Sequence, residues 1–239
     1  MPGEGAGRTQ RPAIGLFGGT FDPVHFAHLR LATELAEAFG LERVVFLPNG
    51  VPYHRGRDAH ATAGQRLAML RLAVEHDARF EIDERELHRS GPTYTYDTLT
   101  EIRRERGPET PIVFLTGTDA FAKIDTWHRW TEVFELAHFG VAVRPHDAAW
   151  LGRGVDAFPP EARARVTTEV RDVLGAPAGK VMAFRMTELD ISSTAIRALA
   201  GARAAIRYLT PDPVVDYIRT HNLYAHAPEP RRAAEATPR

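Results

Sequence analysis

The sequence has no cysteine, no long apolar run and almost no net charge. Without cysteine there is neither a disulfide nor a thiolate metal site, and the chain fits a reducing compartment such as the cytoplasm. No apolar run approaches the roughly 18 residues that a membrane-spanning helix needs, so no membrane partner is expected. A formal net charge of −1 provides no general basic field, so nucleic acid is not an expected partner either.

The remaining composition is that of a globular domain. Hydrophobic residues make up 44% of the 239 residues, which is enough for a substantial core. We expect one domain over residues 13–224, with a peripheral insertion at about 146–179. Residues 1–12 lack the apolar stretch of a signal peptide and are expected to be a disordered lead-in. Residues 225–239, rich in Ala, Pro, Glu and Arg, are expected to be a disordered tail.

A glycine turn between a strand and a helix is the first motif. The apolar run from Ala13 to Phe17 predicts a buried strand, and the spacing of apolar residues from Phe26 to Phe39 predicts a helix. Between them lie Gly18-Gly19 and Thr20-Phe21-Asp22-Pro23. Such a turn places free backbone N–H groups and the positive end of a helix together, which favours a phosphate. His25 and His28 are three residues apart, so they can share one face of the first helical turn.

Other interpretations of this turn compete with a phosphate site. The chain has no Lys-bearing P-loop and no three-glycine dinucleotide fingerprint. The two histidines could ligate zinc, but no cysteine and no obvious third ligand accompany them. They could also be incidental at the start of a helix. The Gly-Gly-Thr-Phe-Asp-Pro run directly before them favours a phosphate site.

Apolar runs that alternate with helical patterns predict the fold class. Besides the first strand, strands are expected at Arg43–Pro48, Phe80–Ile82, Pro111–Gly117, His138–Val143 and Val181–Met186. A strand, a helix and a second strand imply a right-handed parallel crossover. We therefore expect an α/β fold: a Rossmann-like open parallel sheet with helices on both faces.

The loops after these strands supply further candidates. The loop from Asn49 to Arg55 follows the second strand, so His54 and Arg55 would face the same crevice as the histidine pair; a solvated loop is the alternative. Asp119 follows the central strand, where it could bind a ribose hydroxyl, cap a helix, or do both.

Three helical segments carry weaker signals. The helix predicted from Ala63 to His76 is amphipathic, and Arg66 is expected on its solvated side. Thr93 or Thr95 is expected to cap the next helix, which would run to about Glu105; plain capping competes there with an anion site. Of two nearby tryptophans, Trp130 is expected in the core, whereas Trp127 lies in a loop and could stack on a heterocycle.

The second strong motif is Asp190-Ile191-Ser192-Ser193-Thr194-Ala195-Ile196-Arg197. Three hydroxyls open a helix, and Arg197 falls one turn later on the same side as Ser193. Free N–H groups, hydroxyls and a guanidinium together can bind a polyphosphate. Capping alone would explain one serine but not the whole set.

Together these motifs resemble the HxGH nucleotidyltransferase superfamily and, within it, the bacterial nicotinate-nucleotide adenylyltransferases. The resemblance runs from about Ala13 to Tyr224 through six motifs in the same order. Two positions depart from the family pattern: Ala27 replaces a glycine between the histidines, and Tyr53 replaces a proline. The family varies in length at the insertion, and its closing segment, which ends at Tyr224, is expected only to pack.

The resemblance implies the transfer of AMP from ATP to nicotinate mononucleotide, with Mg²⁺ carried by the phosphates and no metal site in the protein. It implies catalytic roles for His25, His28 and Arg197. It implies ATP binding by Gly18, Gly19, Thr20, Phe21, Gly117, Asp119, Ile191, Ser192, Ser193 and Thr194. It implies mononucleotide binding by Asn49, His54, Arg55, Thr95, Tyr96, Trp127 and His128.

Three alternatives stay open on the sequence alone. Phosphopantetheine adenylyltransferase shares the first motif but gives Thr95 and Trp127 no purpose. Class I aminoacyl-tRNA synthetases need a Lys-rich second signature that this chain lacks. A catalytically silent nucleotide sensor is disfavoured by the intact His25, His28 and Arg197. The sequence leaves the oligomeric state open, a homo-oligomer included.

Overall fold

The computed structural model describes residues 12–52, 60–143 and 152–225. Its strands are β1 Ile14–Gly19, β2 Arg43–Pro48, β3 Val51–Pro52, β4 Phe80–Ile82, β5 Pro92–Thr93, β6 Ile112–Gly117, β7 His138–Val143 and β8 Val181–Arg185. Its α-helices are α1 Phe26–Phe39, α2 Ala63–Val74, α3 Thr95–Arg106, α4 Thr118–Phe121, α5 Val133–Leu136, α6 Pro160–Arg163, α7 Val170–Leu174, α8 Ser193–Gly201 and α9 Asp212–Thr220. Two 3₁₀ helices span Ile124–Thr126 and Gly154–Ala157. The predicted lead-in and tail lie outside the described residues, apart from residues 12 and 225.

A six-stranded sheet in the order β4-β2-β1-β6-β7-β8 forms the centre. All neighbouring strands in it are parallel. The predicted Rossmann-like open parallel sheet is therefore confirmed, with β1 and β6 in the middle. Because the strands are parallel, the segments that follow β1, β2 and β6 all lie at the carboxyl-terminal ends of the strands, where open α/β sheets bind ligands.

Both faces of the sheet are covered, as the nearly continuous apolar strands predict. On one face, Phe17 of β1 and Phe46 of β2 pack in a cluster that includes Leu35 of α1. On the other face, Leu16 of β1 packs in a cluster that includes Leu99 of α3. Helices therefore lie on both sides, and the carboxyl edge of the sheet is left for the loops.

Most predicted boundaries agree closely with the structure. The helix Phe26–Phe39 and the strands Arg43–Pro48 and His138–Val143 have the predicted bounds. Helix α1 ends where Gly40 adopts a left-handed conformation with φ 60°. None of the described helices is long and apolar enough to cross a membrane.

Three residues of the predicted peripheral insertion, Phe158, Ala162 and Val173, are buried in the core, whereas its other described residues are exposed or half-buried. Phe158 and Ala162 are buried in the same apolar cluster as the α3 residues. The Phe158 ring meets the Phe121 ring edge-on at 4.7 Å between centroids. The description of this segment as peripheral was therefore wrong for these residues, because short helices with few apolar positions gave too weak a pattern.

A half-buried arginine links segments at the amino-terminal ends of the central strands. The Arg103 guanidinium donates to the backbone carbonyls of Leu136 at 2.6 Å, Thr110 at 2.6 Å and Pro177 at 2.8 Å. Residues 110 and 136 lie just before β6 and β7, so these hydrogen bonds are at the amino-terminal ends of the strands, whereas the glycine turn is at the carboxyl-terminal end of β1. They join α3 to the start of two strands.

His138, the first residue of β7, makes stability depend on pH. It is fully buried, its Nδ1 accepts from the Lys180 N–H at 3.0 Å, and its Nε2 lies 2.8 Å from the Ala176 carbonyl. Burial lowers the pKa of His138 to about 4, from an ordinary value of 6.5. The contribution of neutral His138 to stability is complete above pH 6.5 and is lost as the pH falls towards 4.

We expect this histidine to account for about 2–3 kcal/mol of the stability lost between pH 7 and pH 4. His138→Gln should lower the free energy of unfolding at pH 7 but should flatten its dependence on pH in this window. Urea unfolding at several pH values measures both quantities. Equal acid destabilisation of the variant and the wild type would contradict the assignment.

Candidate active site

The two histidines of the first motif lie at the start of α1 with their rings stacked. His25 is the N-cap, and His28 is the third residue of the helix. Their ring centroids are 3.6 Å apart with an interplanar angle of 22°. The His25 backbone N–H donates to Nδ1 of His28 at 3.3 Å. Because Nδ1 accepts this bond, the proton of neutral His28 is assigned to Nε2, which is then free to donate.

Burial keeps both imidazoles neutral. It lowers the pKa of His25 to about 4. The pKa of His28 is well below its ordinary value, first because of burial and second because His25 lies beside it. The Phe17 and Phe21 rings wall in His28 at 6.0 and 5.1 Å between centroids. Near pH 7 the pair therefore supplies neutral hydrogen-bond donors, and an anion brought beside them would raise both pKa values.

The glycine turn has one glycine that packing requires and one that it does not. A Cβ on Gly19 would lie 2.8 Å from the Phe21 ring, which folds back over it with φ 50° at Phe21. In the part of the chain that the structure describes, a Cβ on Gly18 would meet only the Phe114 ring, at an ordinary 3.6 Å. Gly18 is exposed at the carboxyl end of β1, so its surface is open to a ligand.

The second motif docks against the turn that carries the histidines. The Arg197 guanidinium donates to the Asp22 carbonyl at 2.6 Å and to Thr194 Oγ1 at 3.3 Å. The Ser193 hydroxyl donates to the Pro23 carbonyl at 2.9 Å. Ser192 caps α8 by accepting from the Ala195 N–H at 3.2 Å. Two motifs that lie far apart in the sequence thus meet in one surface.

The Asp22 side chain anchors the turn through hydrogen bonds to residues elsewhere in the chain. Its buried carboxylate accepts from the backbone N–H groups of His60 at 2.7 Å and Ala61 at 3.2 Å, and from the Tyr224 hydroxyl at 2.7 Å. The closing segment therefore does more than pack, because Tyr224 reaches the first motif. Burial, together with the nearby Asp22 carboxylate, raises the pKa of Tyr224 and keeps its hydroxyl a donor.

Arg66 contradicts its predicted position. It was expected on the solvated side of α2, yet it is 1% exposed. Its guanidinium donates to the carbonyls of Thr20 at 2.7 Å and Asn49 at 2.7 Å. The spacing of Arg66 with Met69 and Leu70, both buried, places it on the inner face of the helix. This spacing was the available signal, and the preference of charged side chains for water obscured it.

The candidates after β6 lie beside β1. Gly117 is the N-cap of α4, and Asp119 is an exposed residue in its first turn. Gly117 is exposed, and a Cβ there would meet no described atom within 4 Å. Asp119 is not the cap, so that alternative for it was wrong. Ile191, before α8, is half-buried and donates its N–H to the Leu189 carbonyl at 2.7 Å.

The candidates on the other side of β1 include a buried side-chain amide oxygen. The Asn49 N–H donates to the Gly19 carbonyl at 3.0 Å, while Asn49 Oδ1 is buried with no partner among the described residues.

Thr95 and Tyr96 are the first two residues of α3, and Tyr94 is its N-cap. Neither Thr93 nor Thr95 caps this helix, which corrects the prediction: Thr95 is already its first residue. The first backbone N–H groups of α3 lack intrahelical acceptors and can bind an anion.

An aromatic group borders the start of α3. Trp127 is half-buried, and its ring meets those of Phe114 and Phe139 edge-on at 6.2 and 6.3 Å. The exposed His128 ring lies 4.5 Å from the Tyr94 ring. The Arg129 guanidinium lies 3.9 Å from the centre of the Tyr96 ring, a contact that the sequence did not indicate.

Trp130 is half-buried against the core, edge-on to Phe134 at 6.4 Å between centroids. His54, Arg55 and Tyr53 lie outside the described residues. Within the ranges that the structure describes, no group of three or more His, Cys, Asp or Glu side chains could hold a metal ion.

Comparisons with known proteins agree on one family. The chain matches the family model described as cytidylyltransferase-like over residues 16–199. It is 47% identical over 214 residues to a Dechloromonas aromatica (strain RCB) protein named "Probable nicotinate-nucleotide adenylyltransferase", covering 90% of this chain and 98% of that protein. A protein of the same name from Laribacter hongkongensis (strain HLHK9) is 49% identical over 216 residues, covering 90% and 95%.

Solved structures support the fold. Plasmodium falciparum nicotinic acid mononucleotide adenylyltransferase complexed with NaAD aligns with a TM-score of 0.65 and 19% identity, covering 90% of this chain and 98% of that chain. The crystal structure of a Vibrio parahaemolyticus protein named "Putative Nicotinate-nucleotide Adenylyltransferase" aligns with a TM-score of 0.57 and 17% identity, covering 90% of this chain and 96% of that chain. At these identities the likeness shows the fold alone.

Proposed function

The chain belongs to the nicotinate-nucleotide adenylyltransferases, within the cytidylyltransferase-like family, and we propose that His25, His28 and Arg197 stabilise the charge that its reaction develops. The reaction transfers AMP from ATP to nicotinate mononucleotide and yields nicotinate adenine dinucleotide and pyrophosphate. One contact carries the proposal. The 2.6 Å bond from Arg197 to the Asp22 carbonyl brings the second motif against the turn that bears the histidines.

The chemistry needs no general base. A phosphate oxygen of the mononucleotide attacks the α-phosphorus of ATP, and the bond from that phosphorus to the oxygen bridging to the β-phosphate breaks. Pyrophosphate leaves with the electron pair. The attacking phosphate is already largely ionised near pH 7. Catalysis therefore depends on positioning and on charge stabilisation between two polyanions.

The histidine pair suits this task. A neutral imidazole with its proton on Nε2 can donate a hydrogen bond to a phosphate oxygen without first taking up a second proton. We assign the Nε2–H of His28 to an α-phosphate oxygen and His25 to the neighbouring phosphate oxygens. Arg197, with Ser193 and Thr194, would hold the leaving pyrophosphate, since a guanidinium and hydroxyls at a helix start bind polyphosphate.

The remaining ATP contacts follow from the open glycines. The backbone from Gly18 to Phe21 would hold phosphate oxygens. Gly117 and Asp119 would lie against the ribose, with Ile191 and Ser192 nearby. Packing among the described residues does not require glycine at 18 or 117, which supports a ligand as the reason for both.

The mononucleotide would lie between β2 and α3. Asn49 would bind it through its unpartnered Oδ1. The N–H groups of Thr95 and Tyr96 would receive the nicotinate carboxylate, and Trp127 with His128 would border the pyridine ring. His54 and Arg55 stay predictions from the sequence.

We propose that Mg²⁺ enters bound to the phosphates of ATP, as part of the substrate. Mg²⁺ keeps several water ligands and is commonly bound through substrate phosphates, which suits a site without a carboxylate cage among the described residues. We further propose that the enzyme acts in the cytoplasm, in keeping with its use of ATP and its lack of cysteine.

Trp127→Ala is expected to raise the KM for nicotinate mononucleotide about tenfold or more, because stacking on a heterocycle contributes to binding. The KM for ATP should change little. Steady-state kinetics with each substrate varied in turn measures both. Trp130→Ala is the matched control, since Trp130 is also half-buried and edge-on to the core; it should lower stability without separating the two KM values. Equal increases for both substrates in Trp127→Ala would assign Trp127 to the core.

The helix start at Thr95 predicts a preference for the acid over the amide. Two backbone donors satisfy the two oxygens of a carboxylate, whereas the NH₂ of nicotinamide would face one of these donors and leave it unpaired. We expect kcat/KM for nicotinate mononucleotide to exceed that for nicotinamide mononucleotide by about 10- to 100-fold or more. A preference for the amide would refute this assignment.

Product analysis tests the function itself. The purified chain is incubated with ATP and either nicotinate mononucleotide or phosphopantetheine, and the products are identified by mass. Nicotinate adenine dinucleotide should form in the first reaction, and no adenylylated product should form in the second. Binding of ATP without any adenylylated product would instead indicate a nucleotide sensor.

A further inference from the structure

We propose that Arg66 is a positioning residue that holds the ATP-binding turn and the mononucleotide-binding loop at a fixed distance from each other. The turn is residues 18–22, and the loop is Asn49 with Gly50. The inference rests on the proposed function for the identity of the two ligands. The geometry that supports it does not depend on that identity.

A single guanidinium bridges the two segments. One terminal nitrogen of Arg66 donates to the Thr20 carbonyl at 2.7 Å, and the other donates to the Asn49 carbonyl at 2.7 Å and the Gly50 carbonyl at 3.3 Å. Among the described residues, no carboxylate lies within salt-bridge distance of Arg66. Its bonds therefore go to the backbone of the two segments, and the rigid planar fork fixes the angle between them.

These bonds orient two peptide planes. In a trans peptide the carbonyl and the following N–H point in opposite directions. With the Thr20 carbonyl turned to Arg66, the N–H of Phe21 points away from it; the Asn49 carbonyl likewise turns away the N–H of Gly50. The Phe21 N–H belongs to the backbone assigned to the phosphates of ATP, so Arg66 would set the direction of a phosphate donor without touching the substrate.

The helix backbone that carries Arg66 is itself held in place. Thr62 and Gln65 form a reciprocal capping box at the start of α2, and the Arg66 N–H donates to the Thr62 carbonyl at 2.9 Å. The two residues just before this cap, His60 and Ala61, are bound by the Asp22 carboxylate. The helix that carries Arg66 is thus anchored to the turn that Arg66 orients.

The mononucleotide loop has little room to move on its other side. A Cβ on Gly50 would lie 2.5 Å from the Glu86 carbonyl, so the loop is packed tightly between Arg66 and the backbone at residue 86. The Asn49 N–H also donates to the Gly19 carbonyl at 3.0 Å, which links the loop directly to the turn. Exchange of this amide hydrogen reports whether the two segments stay together.

The test compares Arg66→Lys with Arg103→Lys. Both wild-type arginines donate only to backbone carbonyls among the contacts described above, but Arg103 lies at the opposite edge of the sheet. Lysine keeps the charge and loses the fork. We expect Arg66→Lys to lower kcat/KM for both substrates by about 30- to 100-fold, because misplacement of about 1 Å is costly in transfer reactions. Arg103→Lys should lower the melting temperature and leave kcat/KM within about threefold of wild type.

Hydrogen exchange gives a second readout that needs no substrate. The Asn49 amide should exchange much faster in Arg66→Lys than in the wild type, while Arg103→Lys should leave it unchanged. Arg66→Gln serves if the lysine variant does not fold. If neither variant folds, Arg66 serves the fold as a whole, and the proposal of a positioning role is overturned.

Three further results would overturn the proposal: wild-type kinetics in a folded Arg66→Lys, equal loss of kcat/KM in the two lysine variants, or unchanged exchange at Asn49. Turnover of the wild type is measured first. If the wild type forms no nicotinate adenine dinucleotide, the proposed function fails, whereas the exchange experiment still tests the bridge between the two segments.

Discussion

Replacing His28 by alanine is expected to lower kcat at least about 100-fold while the Kd for ATP changes little, because the lost donor acts mainly on charge that develops in the transition state. Removal of one such donor typically costs about 3–4 kcal/mol of transition-state stabilisation. Rapid-quench or steady-state assays give kcat, and equilibrium titration gives the Kd.

A second substitution isolates the atom responsible. His28→Asn can keep an acceptor near the position of Nδ1 for the His25 N–H, but it has no group at the position of Nε2. We expect it to be as slow as His28→Ala. His221→Ala is the control, since His221 is also a histidine stacked on a ring at a helix end, 3.9 Å from Tyr217. Near-wild-type turnover in His28→Asn would remove His28 from the catalytic groups.

Arg197→Ala is the second large effect. It removes the cation assigned to the leaving pyrophosphate and one of two bonds that dock α8 on the turn. We expect kcat to fall by about 10²- to 10³-fold. Arg197→Lys should recover part of this loss, since lysine restores the charge without the bidentate geometry.

The control for charge is Arg219→Ala, an exposed arginine on α9. It should change kcat by less than about twofold, because an exposed charge outside the two motifs is largely screened by water and salt. A similar loss in both variants would mean that general electrostatics, and not the placement of Arg197, accounts for the effect.

Local patterns in the sequence were sufficient to predict the central strands and the first helix. Apolar runs of five or six residues located β1, β2, β6 and β7, since a strand covered on both faces leaves little choice of residue. Gly40 and the periodic apolar face bounded α1. Family membership came from motifs whose residue order was specific, and the comparisons confirmed it.

Long-range contacts were beyond local patterns. Nothing near Tyr224 indicates that its hydroxyl binds Asp22, because the two residues meet only when the fold closes. The cap of α3 was misplaced because two threonines near a helix start look alike in sequence, whereas the observed N-cap is Tyr94. Arg66 was misplaced because charge was weighted above helical spacing. These errors concern residues that support the site, and only the structure shows the contacts that these residues make.

The most direct test of the central claim is pyrophosphate release by the wild-type chain with ATP and Mg²⁺, measured with and without nicotinate mononucleotide. We predict one pyrophosphate for each nicotinate adenine dinucleotide formed, and no release when the mononucleotide is omitted. Release that does not depend on the mononucleotide, or no release with both substrates present, would contradict the account.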